Sequence, residues 1–375
     1  MRDVVVVGLG HAHLYVASQV ERFRAAGLRL VLIDDGEFWY SSIGSGMLGG
    51  RYERADDVIE AEPFARGLGI DFVRGRAKRI DRERRQVVLE SGDAVRYDLV
   101  SLNVGSHVAP PFPVEGVEGV DRSVWFPKPI RALLDLRARL SHAFRSGTPV
   151  RWVTVGGNHS GCELTLNALA LARAEGGALD ATLVADADEL VTNEPRGARR
   201  AMRRALEHAG CTVRLGARVQ RVTATEVHLA TGDILPHDHA LIATGLAASP
   251  LVMECDLPAD ARDGLSVTPA LHAPGDSRVF AAGDCASIIG YDLPKVGVFG
   301  VRASPVLADN LLARAAGGPL RRYRPQPIWF AAQNLGDGTG LASWGPIWWR
   351  GRSALALKDW NDRRFMDRYK AMSTA

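Results

Sequence analysis

A glycine turn close to the start of the chain has the residue types and the spacing that bind a dinucleotide. The stretch VVVVGLGHAH has Gly8 and Gly10 in the first two positions of the pattern G-x-G-x-x-G, with His13 in the third. Gly8 permits a tight turn, and Gly10 lets backbone N–H groups approach a pyrophosphate, whose charge suits a helix N-terminus. Because His13 is larger than glycine, the helix and the strand are expected to lie slightly further apart. Asp34 ends the next strand, where a carboxylate binds a ribose hydroxyl, and Asp35 is the alternative.

A second turn, VTVGGNHSGCE, is the less regular of the two. It retains Gly156 and Gly161, but Asn158 replaces the glycine that comes nearest to a pyrophosphate. Asparagine tolerates a positive φ better than most residues, although its side chain takes space that a phosphate would use. The neighbouring His159 either pairs with a phosphate or is merely exposed at the start of the helix. This turn predicts a second nucleotide site. The alternative is that the second domain binds another ligand or no ligand.

The strand after the second turn, ATLVADAD, bears on which nucleotide binds there. It has Ala185 where an acid that binds NADH is expected, and Asp186 comes one residue later. No arginine follows directly, and the carboxylates of Asp186 and Asp188 would repel a 2′-phosphate. The pattern therefore favours NADH over NADPH.

A Gly-Asp pair far along the chain indicates a flavin. In RVFAAGDCA, an apolar strand ends in Gly283 and Asp284. At this strand end Asp284 can lie over the ribityl or phosphate oxygens of a flavin nucleotide, a second contact that NAD-only dehydrogenases do not need. The alternative is an acid that caps the next helix, which is common. Together with the first turn, the pair favours FAD as the first nucleotide.

The elements that must position these residues occur twice along the chain. A strand, a glycine turn, a helix and a second strand are followed by short strands and a last strand that ends in NVGS or ATG. This repeat predicts an α/β fold with two Rossmann-like dinucleotide-binding domains, the second inserted in the first, plus a Trp-rich C-terminal segment. The Pro-rich stretch from PPFPVEG to WFPKPI is the expected linker, and YSSIGSGMLGG is expected to be a loop because it is rich in glycine and serine. The predicted division is an FAD-binding domain of residues 1–110 and 236–318, an NAD(P)H-binding domain of 111–235 and a C-terminal segment of 319–375.

Composition excludes several classes of function. The 375 residues suggest two or three domains, and a net charge of +3 is too small for a nucleic-acid binder. The four cysteines form no C-x-x-C pair, which argues against a zinc site and a vicinal redox disulfide, and they fit a reducing cytoplasm. The N-terminus is typical of a first strand rather than a signal peptide, and no apolar run is long enough to span a bilayer. We therefore expect a cytoplasmic protein whose only membrane contact is peripheral, at the inner face.

The ordered set of motifs resembles a known superfamily. GLGHAH, LIDD, LNVGS, VGGNHSGCE, IATG and VFAAGDCA resemble, in that order, the two-dinucleotide-binding-domain flavoproteins of the pyridine nucleotide–disulfide oxidoreductase superfamily. Within it, the chain looks like type II NADH dehydrogenases and sulfide:quinone reductases. It is most similar to the flavoprotein segment often fused to selenide, water dikinase, through YSSIGSGML, FPKPI, LPKVGVFGVRASPVLADNL and KDWNDRRFMDRY. The resemblance covers nearly the whole chain.

The resemblance implies FAD as the cofactor and NADH as the co-substrate. Lys295, in LPKVGVF, corresponds to a lysine near the flavin pyrimidine end, where a fixed cation stabilises the negative charge of reduced flavin. The residues expected to contact FAD are Gly8, Gly10, His11, His13, Asp34, Asp35, Ser41, Ser42, Ala77, Asn103, Gly105, Lys128, Gly283, Asp284, Lys295 and Val296. The residues expected to contact NADH are Gly156, Gly157, Asn158, Ser160, Gly161, Glu163, Asp186 and Gly245.

The cysteine pattern narrows the expected reaction. Disulfide reductases of the superfamily and sulfide:quinone reductases need paired cysteines beside the flavin, and this chain has no such pair. We therefore expect hydride transfer from NADH to FAD, followed by electron transfer to a quinone or quinone-like acceptor. Two alternatives stay open: oxidation of a small sulfur, selenium or organic donor without a nicotinamide step, and a flavin-binding regulatory protein with little turnover.

The C-terminal segment holds five of the eight tryptophans, mixed with arginine and lysine. We expect one of three roles for this segment. It could pack as a cap over the flavin domain, form a homodimer contact, or make peripheral contact with a membrane surface, where aromatic and basic side chains are favoured.

Overall fold

The computed structural model describes residues 1–119 and 122–373. Val120 and Asp121, in the predicted second domain, lie outside the described residues, as do Thr374 and Ala375 at the end of the C-terminal segment. Within the described ranges, no helix is both long enough and apolar enough to cross a membrane.

Strands and helices alternate in the order that the repeat predicts. The α-helices are α1 (His11–Ser18), α2 (Val20–Ala25), α3 (Gly44–Leu48), α4 (Arg54–Asp57), α5 (Ala61–Gly67), α6 (Ala132–Arg145), α7 (His159–Glu175), α8 (Arg196–His208), α9 (Gly297–Ala316) and α10 (Arg352–Lys370). The strands are β1 (Arg2–Val7), β2 (Leu28–Asp34), β3 (Glu37–Trp39), β4 (Val58–Glu60), β5 (Asp71–Arg74), β6 (Ala77–Asp81), β7 (Gln86–Leu89), β8 (Ala94–Arg96), β9 (Leu99–Leu102), β10 (Ser106–Val108), β11 (Val124–Trp125), β12 (Val150–Val155), β13 (Leu179–Val184), β14 (Thr212–Arg214), β15 (Val219–Val222), β16 (Glu226–Leu229), β17 (Ile234–Pro236), β18 (His239–Ile242), β19 (Leu246–Ala248), β20 (Ala259–Asp260), β21 (Gly264–Val267), β22 (His272–Ala273), β23 (Asp276–Ala281), β24 (Ala286–Ile288), β25 (Phe330–Asn334), β26 (Gly340–Trp344) and β27 (Ile347–Gly351). Short 3-10 helices cover Pro250–Cys255, Gly283–Cys285 and Ala371–Ser373.

The first sheet has six strands in the order β22-β23-β9-β1-β2-β5. Its neighbours are parallel except for β22 with β23. The valine run of β1 lies inside this sheet, and Val4, Val5 and Val6 are fully buried. A continuous apolar run is what a parallel strand covered on both faces requires.

The second sheet repeats the pattern with five parallel strands in the order β11-β18-β12-β13-β14. Together the two sheets confirm the predicted α/β class. β18 falls within the range 236–318 of the predicted FAD-binding domain, but it pairs with β11 and β12 of the second sheet. The chain therefore returns to the first domain after Ile242, and we propose a division at that point.

Two short strands mark where the chain leaves the first domain and re-enters it. β10 and β19 pair in an antiparallel ladder, in which Ser106 lies opposite Ala248. Because both crossings run side by side, the inserted domain is tied to the first by a two-stranded connection rather than by one flexible linker.

The C-terminal segment packs against both domains. β25, β26 and β27 form an antiparallel sheet, and α10 contacts β25 and β26 of that sheet. The sheet contacts α7 and α8 of the second domain, whereas α10 also contacts α4 and β4 of the first. Trp344 and Trp360 remain more than half exposed.

The stretch YSSIGSGMLGG is not entirely a loop, so that expectation was wrong. Its centre forms α3, whose five residues are all buried. A side chain at Gly46 would meet the Tyr52 ring, and one at Gly49 would meet the Asn167 side chain. The small residues therefore allow a short helix to pack closely, an effect that outweighs their low helix propensity.

The side chain of Asn103 ties the first glycine turn to two strands of the first sheet. Its Oδ1 accepts hydrogen bonds from the backbone N–H groups of Ala12, at 2.9 Å, and His13, at 3.3 Å. Its Nδ2 donates to the carbonyl of Ala282 at 2.6 Å. One buried amide thus joins the start of α1, the end of β9 and the end of β23.

We expect Asn103→Ala to lower the melting temperature by several degrees. The substitution leaves buried backbone groups without partners, at about 1–3 kcal/mol for each such group. Asn167→Ala is the matched control for losing a buried asparagine, since Asn167 donates to the carbonyls of Glu163 and Asn334, away from the turn. Thermal unfolding measures both variants. An unchanged melting temperature for Asn103→Ala would contradict the assigned clamp.

Candidate functional site

One large cleft runs between the two domains and the C-terminal segment. Its volume is about 2710 Å³, well above the roughly 300–1,000 Å³ of a site for one small molecule. It therefore has room for more than one ligand. The predicted residues that line it are Gly8, Gly10, His11, Asp34, Asp35, Ser41, Ser42, Ala77, Asn103, Gly105, Lys128, Asn158, Ser160, Glu163, Gly283, Asp284, Lys295 and Val296.

Six predicted residues lie outside the lining: His13, Gly156, Gly157, Gly161, Asp186 and Gly245. The ring of His13 is buried beneath the first turn, with Nδ1 2.7 Å from the Gly8 carbonyl and Nε2 2.8 Å from Ser101 Oγ. Asp186 is exposed, 3.5 Å from Arg218. Gly245 belongs to the connection between domains, where its carbonyl accepts from the N–H of Ala109 at 2.5 Å.

The carboxylate of Asp34 shapes the first turn. It accepts hydrogen bonds from the N–H groups of Leu9 and Gly36, both at 2.7 Å. Burial raises the pKa of this carboxyl, and the two backbone donors oppose the rise. Asp35 is solvent-exposed instead and pairs with Arg76 at 3.2 Å. Asp34 therefore lies beside the first turn, with its orientation fixed by the backbone.

Gly10 of the first glycine turn lies in close contact with Asn103. A Cβ atom at Gly10 would collide with the Asn103 side chain. Gly10 is thus required by the protein's own clamp as well as by the approach of a ligand to the backbone. Asn103 uses both ends of its amide within the protein, a role that the sequence did not indicate.

A charged cluster surrounds Asp284. Its Oδ2 accepts from Ser106 Oγ at 2.6 Å and pairs with Lys128 Nζ at 2.9 Å. Burial raises the pKa of this carboxyl, but the charge of Lys128 and the two hydrogen bonds outweigh burial and lower it below its ordinary value. Asp284 is therefore ionised at neutral pH and already has a cationic partner.

Lys295 lies in the same cluster but binds differently. Its ammonium donates to the backbone carbonyls of Asp284, at 2.6 Å, and Asp263, at 3.0 Å. Burial lowers its pKa, and the nearby charge of Asp284 opposes that shift. Lys128, rather than Lys295, makes the direct ion pair. The ammonium of Lys295 therefore bonds two backbone carbonyls and, unlike that of Lys128, is not hydrogen-bonded to a carboxylate.

The second turn is closed by Asn158. Its Oδ1 accepts from the N–H of Gly161 at 2.9 Å and so caps α7, while its Nδ2 donates to the Ala243 carbonyl at 2.6 Å. The side chain is therefore committed to the turn itself. His159 beside it is paired rather than free, because its Nε2 lies 2.8 Å from the buried carboxylate of Glu194.

The C-terminal segment lines one side of the cleft, which we call the C-terminal wall. The sequence analysis did not predict the buried polar network in this wall. Lys358 and Asp362 form an ion pair at 2.7 Å, and each side chain is only 3% exposed. Lys358 Nζ also donates to the Ser42 carbonyl at 2.5 Å, and Tyr40 donates to Asp362 at 3.2 Å. The only sequence signal was a Lys and an Asp four residues apart in KDWND, which is also typical of an exposed helix face.

Glu163 faces the same network from α7. Its Oε1 accepts from Ser45 Oγ and from the N–H of Asn334, both at 2.8 Å. Burial raises the pKa of this carboxyl, whereas the charge of Lys358 lowers it. Glu163 therefore joins α3, α7 and β25 at one side of the cleft.

The four cysteines are free, buried and absent from the described lining of the cleft. Burial raises the pKa of the Cys285 thiol to about 11 and that of Cys211 to about 12. Thiols of this kind are inert at neutral pH. The cleft consequently offers no thiolate among the described residues.

Comparisons with known proteins agree with this geometry. Residues 2–309 match the family model described as pyridine nucleotide-disulphide oxidoreductase. Demethylphylloquinone reductase NdbB of Synechocystis sp. is 25% identical over 348 residues, which are 87% of this chain and 82% of that protein. Type II NADH:quinone oxidoreductase of Haemophilus influenzae is 22% identical over 375 aligned positions, covering 86% and 83% of the two chains. The crystal structure of sulfide:quinone oxidoreductase from Aquifex aeolicus superposes with a TM-score of 0.83 at 17% identity, over 99% of this chain and 92% of that one.

Asp57 gives a pH-dependent prediction for the C-terminal wall. Its Oδ1 accepts from the N–H of Tyr40 at 2.8 Å, and its buried Oδ2 has no hydrogen-bond partner among the described residues. Burial raises the pKa of Asp57 to about 7, against the opposing charges of Lys370 and Lys358. The folded protein therefore holds this proton more tightly than the unfolded chain, and stability is lost as the pH rises towards about 7.

We expect Asp57→Asn to gain stability relative to the wild type between about pH 4 and about pH 7, at up to about 1.4 kcal/mol per pH unit. Asparagine stays neutral, so the variant avoids the cost of ionisation. Melting temperatures across this range provide the measurement. A difference between the two proteins that stays constant with pH would show that Asp57 does not titrate there.

Proposed function

Because the chain belongs to the pyridine nucleotide-disulphide oxidoreductase family, we propose that it is an FAD-dependent enzyme that passes electrons from NADH to a quinone or quinone-like acceptor. The observation that carries this proposal is the common cleft. Its lining includes residues of the first glycine turn, of the second turn and of the C-terminal sheet and helix. Two nucleotides and a third ligand can thus meet in one place.

The residues of the first domain fit FAD. For the pyrophosphate we propose the N–H groups of Gly10 and His11, since those of Ala12 and His13 donate to Asn103, and for the ribose we propose Asp34, which lines the cleft beside this turn. Asp284 and Lys295 line the same cleft, and we propose the first as a carboxylate for ribityl hydroxyls and the second as a cation. Bound FAD would supply a reversible two-electron, two-proton couple between donor and acceptor.

The residues of the second domain fit NADH less tightly. Ser160, at the start of α7, lines the cleft, whereas the amide of Asn158 is used within the turn. Asp186 follows the next strand, exposed and 3.5 Å from Arg218, outside the described lining of the cleft, so a nucleotide that reaches it must extend beyond that lining. Its negative charge opposes the 2′-phosphate of NADPH, and we therefore propose NADH as the preferred donor.

The C-terminal wall of the cleft suits an acceptor that takes up protons. Lys358 presents an ammonium group beside Ser42, Glu163 presents a carboxyl group beside Ser45, and both side chains line the cleft. Reduction of a quinone to a hydroquinone consumes the two electrons and one proton of NADH together with one further proton. These two side chains are the proposed route by which protons reach the acceptor. The relatives named as quinone reductases support this acceptor class.

The absence of a thiolate in the described lining supports electron transfer without a redox-active disulfide. Cys162 lies in the helix of the second turn, and burial raises its pKa well above the ordinary value. We propose that none of the four cysteines takes part in the reaction.

The proposed function predicts that NADH bleaches the flavin absorbance of the purified holoenzyme under anaerobic conditions. NADPH should react at least about 10-fold more slowly, in line with the repulsion at Asp186. Adding a quinone should then restore the oxidised spectrum. A flavin that stays oxidised with both nucleotides would refute the proposal. In that case reduction by a sulfide or selenide salt would favour the donor alternative, and no reduction at all would favour a regulatory flavoprotein.

Asp284→Ala should weaken FAD retention by roughly 10-fold or more, because a charged hydrogen-bond partner is lost. The substitution also leaves the ammonium of Lys128 without its carboxylate. Asp263→Ala is the control, since it removes the same charge from an exposed side chain nearby. The ratio of flavin to protein after dialysis measures both variants. Full occupancy in Asp284→Ala would show that the carboxylate does not contact the cofactor.

A further inference from the structure

The charged side chains that line the cleft are unevenly distributed along the chain. The lining residues between Val7 and Glu90 include four acidic and two basic side chains, whereas those between Pro294 and Tyr369 include one acidic and six basic side chains. The single acid of the second group is Asp362, which is buried and already paired with Lys358. The part of the lining that comes from Pro294 to Tyr369 therefore carries an excess of positive charge.

Four of the six basic side chains have no carboxylate partner. Arg302, Arg324, Arg364 and Arg368 are exposed, and no ion pair joins them to an acid among residues 1–119 and 122–373. Arg363, next to Arg364 on α10, is by contrast paired with Asp56 at 3.6 Å. We call these four residues the basic mouth. Like charges around one opening raise the local concentration of an anion and speed its arrival.

The position of the arginines on α10 shows that they face the cleft. Arg364 and Arg368 are one helical turn apart, on the same side as Leu357, Trp360 and Asn361, which also line the cleft. The guanidinium carbon of Arg364 lies 5.1 Å from the centre of the Trp360 ring. That of Arg368 lies 5.8 Å from the centre of the Tyr15 ring.

The basic mouth therefore combines flat guanidinium groups with aromatic faces. On α9, Arg302 lies on the side that lines the cleft with Val298, Val301 and Pro305. Trp329 packs against Phe299 with ring centres 5.3 Å apart. Arginine binds carboxylate, sulfonate or phosphate groups through paired N–H donors and stacks on aromatic rings. Neither property favours a ligand that is purely aliphatic and uncharged.

We propose that the electron acceptor is a small aromatic quinone that carries an acidic group, and that the basic mouth binds this group. This inference rests on the proposed function and names the acceptor class. The quinone ring gains two electrons and two protons and becomes a hydroquinone. NADH supplies both electrons and one proton, the second proton comes from solvent, and the acidic group stays unchanged.

The test compares naphthoquinone with naphthoquinone sulfonate, which differ in an anionic substituent. Variants Arg364→Gln/Arg368→Gln and, separately, Arg302→Gln are compared with the wild type. The measured quantity is the ratio of kcat/KM for the sulfonate to kcat/KM for the neutral quinone, so that the different potentials of the two acceptors cancel between proteins. We expect the double variant to lower this ratio at least about 10-fold, mainly through KM of the sulfonate.

Two controls separate a local effect from a change in net charge. Arg145→Gln removes the same charge from an exposed position at the end of α6 that does not line the described cleft, and it should leave the ratio unchanged. High salt should lower the wild-type ratio towards that of the double variant, because exposed charges are screened over about 10 Å or less at such ionic strength. Arg364→Lys/Arg368→Lys should recover part of the ratio.

The same variants distinguish failure of this inference from failure of the proposed function. Holoenzyme reduced with dithionite and mixed with each quinone reports acceptor choice even if NADH is not the donor. A ratio that is equal in the wild type and the double variant overturns the proposal. Loss of binding to phosphatidylglycerol vesicles, or of electron transfer to an acidic electron-carrier protein, with the ratio unchanged, would assign the basic mouth to a macromolecule and also overturn it.

Discussion

A buried ammonium group must find carboxylates, and Lys358 does so by joining three parts of the chain. It pairs with Asp362 on its own helix, donates to Ser42 of the first domain and faces Glu163 of the second. Burial lowers the pKa of Lys358, but the charges of Glu163 and Asp362 outweigh burial and raise it. Removing one partner from such a pair typically costs about 3–5 kcal/mol. The C-terminal segment is therefore held in place as the third wall, and the cleft depends on it.

The two glycine turns are stabilised by the same chemical device, although the asparagine comes from different places. In the first, Asn103 follows a strand and reaches the N–H groups at the start of α1. In the second, Asn158 lies in the turn itself and caps α7. Both side chains then donate Nδ2 to the carbonyl at the end of a neighbouring strand, Ala282 or Ala243, each at 2.6 Å. In the second turn, therefore, the asparagine that holds the turn together is Asn158, which occupies a glycine position of the pattern.

The sequence predicted the fold because local signals dominate it. The valine run of β1, the glycine turns and the strand that precedes Asp284 each lie within a short stretch, and the structure has them where the repeat predicts. The helix α3 was missed because its glycines meet Tyr52 and Asn167, which are contacts that no local pattern encodes. The sequence analysis placed β18 in the FAD-binding domain, because short apolar strands have similar sequences. Only the pairing of β18 with β11 and β12 shows which sheet contains it.

The candidate site was predicted more completely on the side of the first domain than elsewhere. Motif residues such as Gly8 and Asp34 follow directly from spacing. Lys358 could not be found in this way, because its burial results from packing between segments more than 300 residues apart. Lys128 was among the expected residues, but its pair with Asp284 could not be predicted from spacing, because the two residues are 156 positions apart.

The charge difference along the cleft constrains how the proposed ligands can lie. The acids near the first turn suit the hydroxyl groups of an adenosine ribose and disfavour a further phosphate. In the proposed complex, the start of α1 would bind the pyrophosphate, and Lys295 would stabilise negative charge on reduced flavin. The arginines of the basic mouth would add to the same positive field and attract an anionic acceptor, so that one arrangement of charge would both orient the cofactor and select the molecule that it reduces.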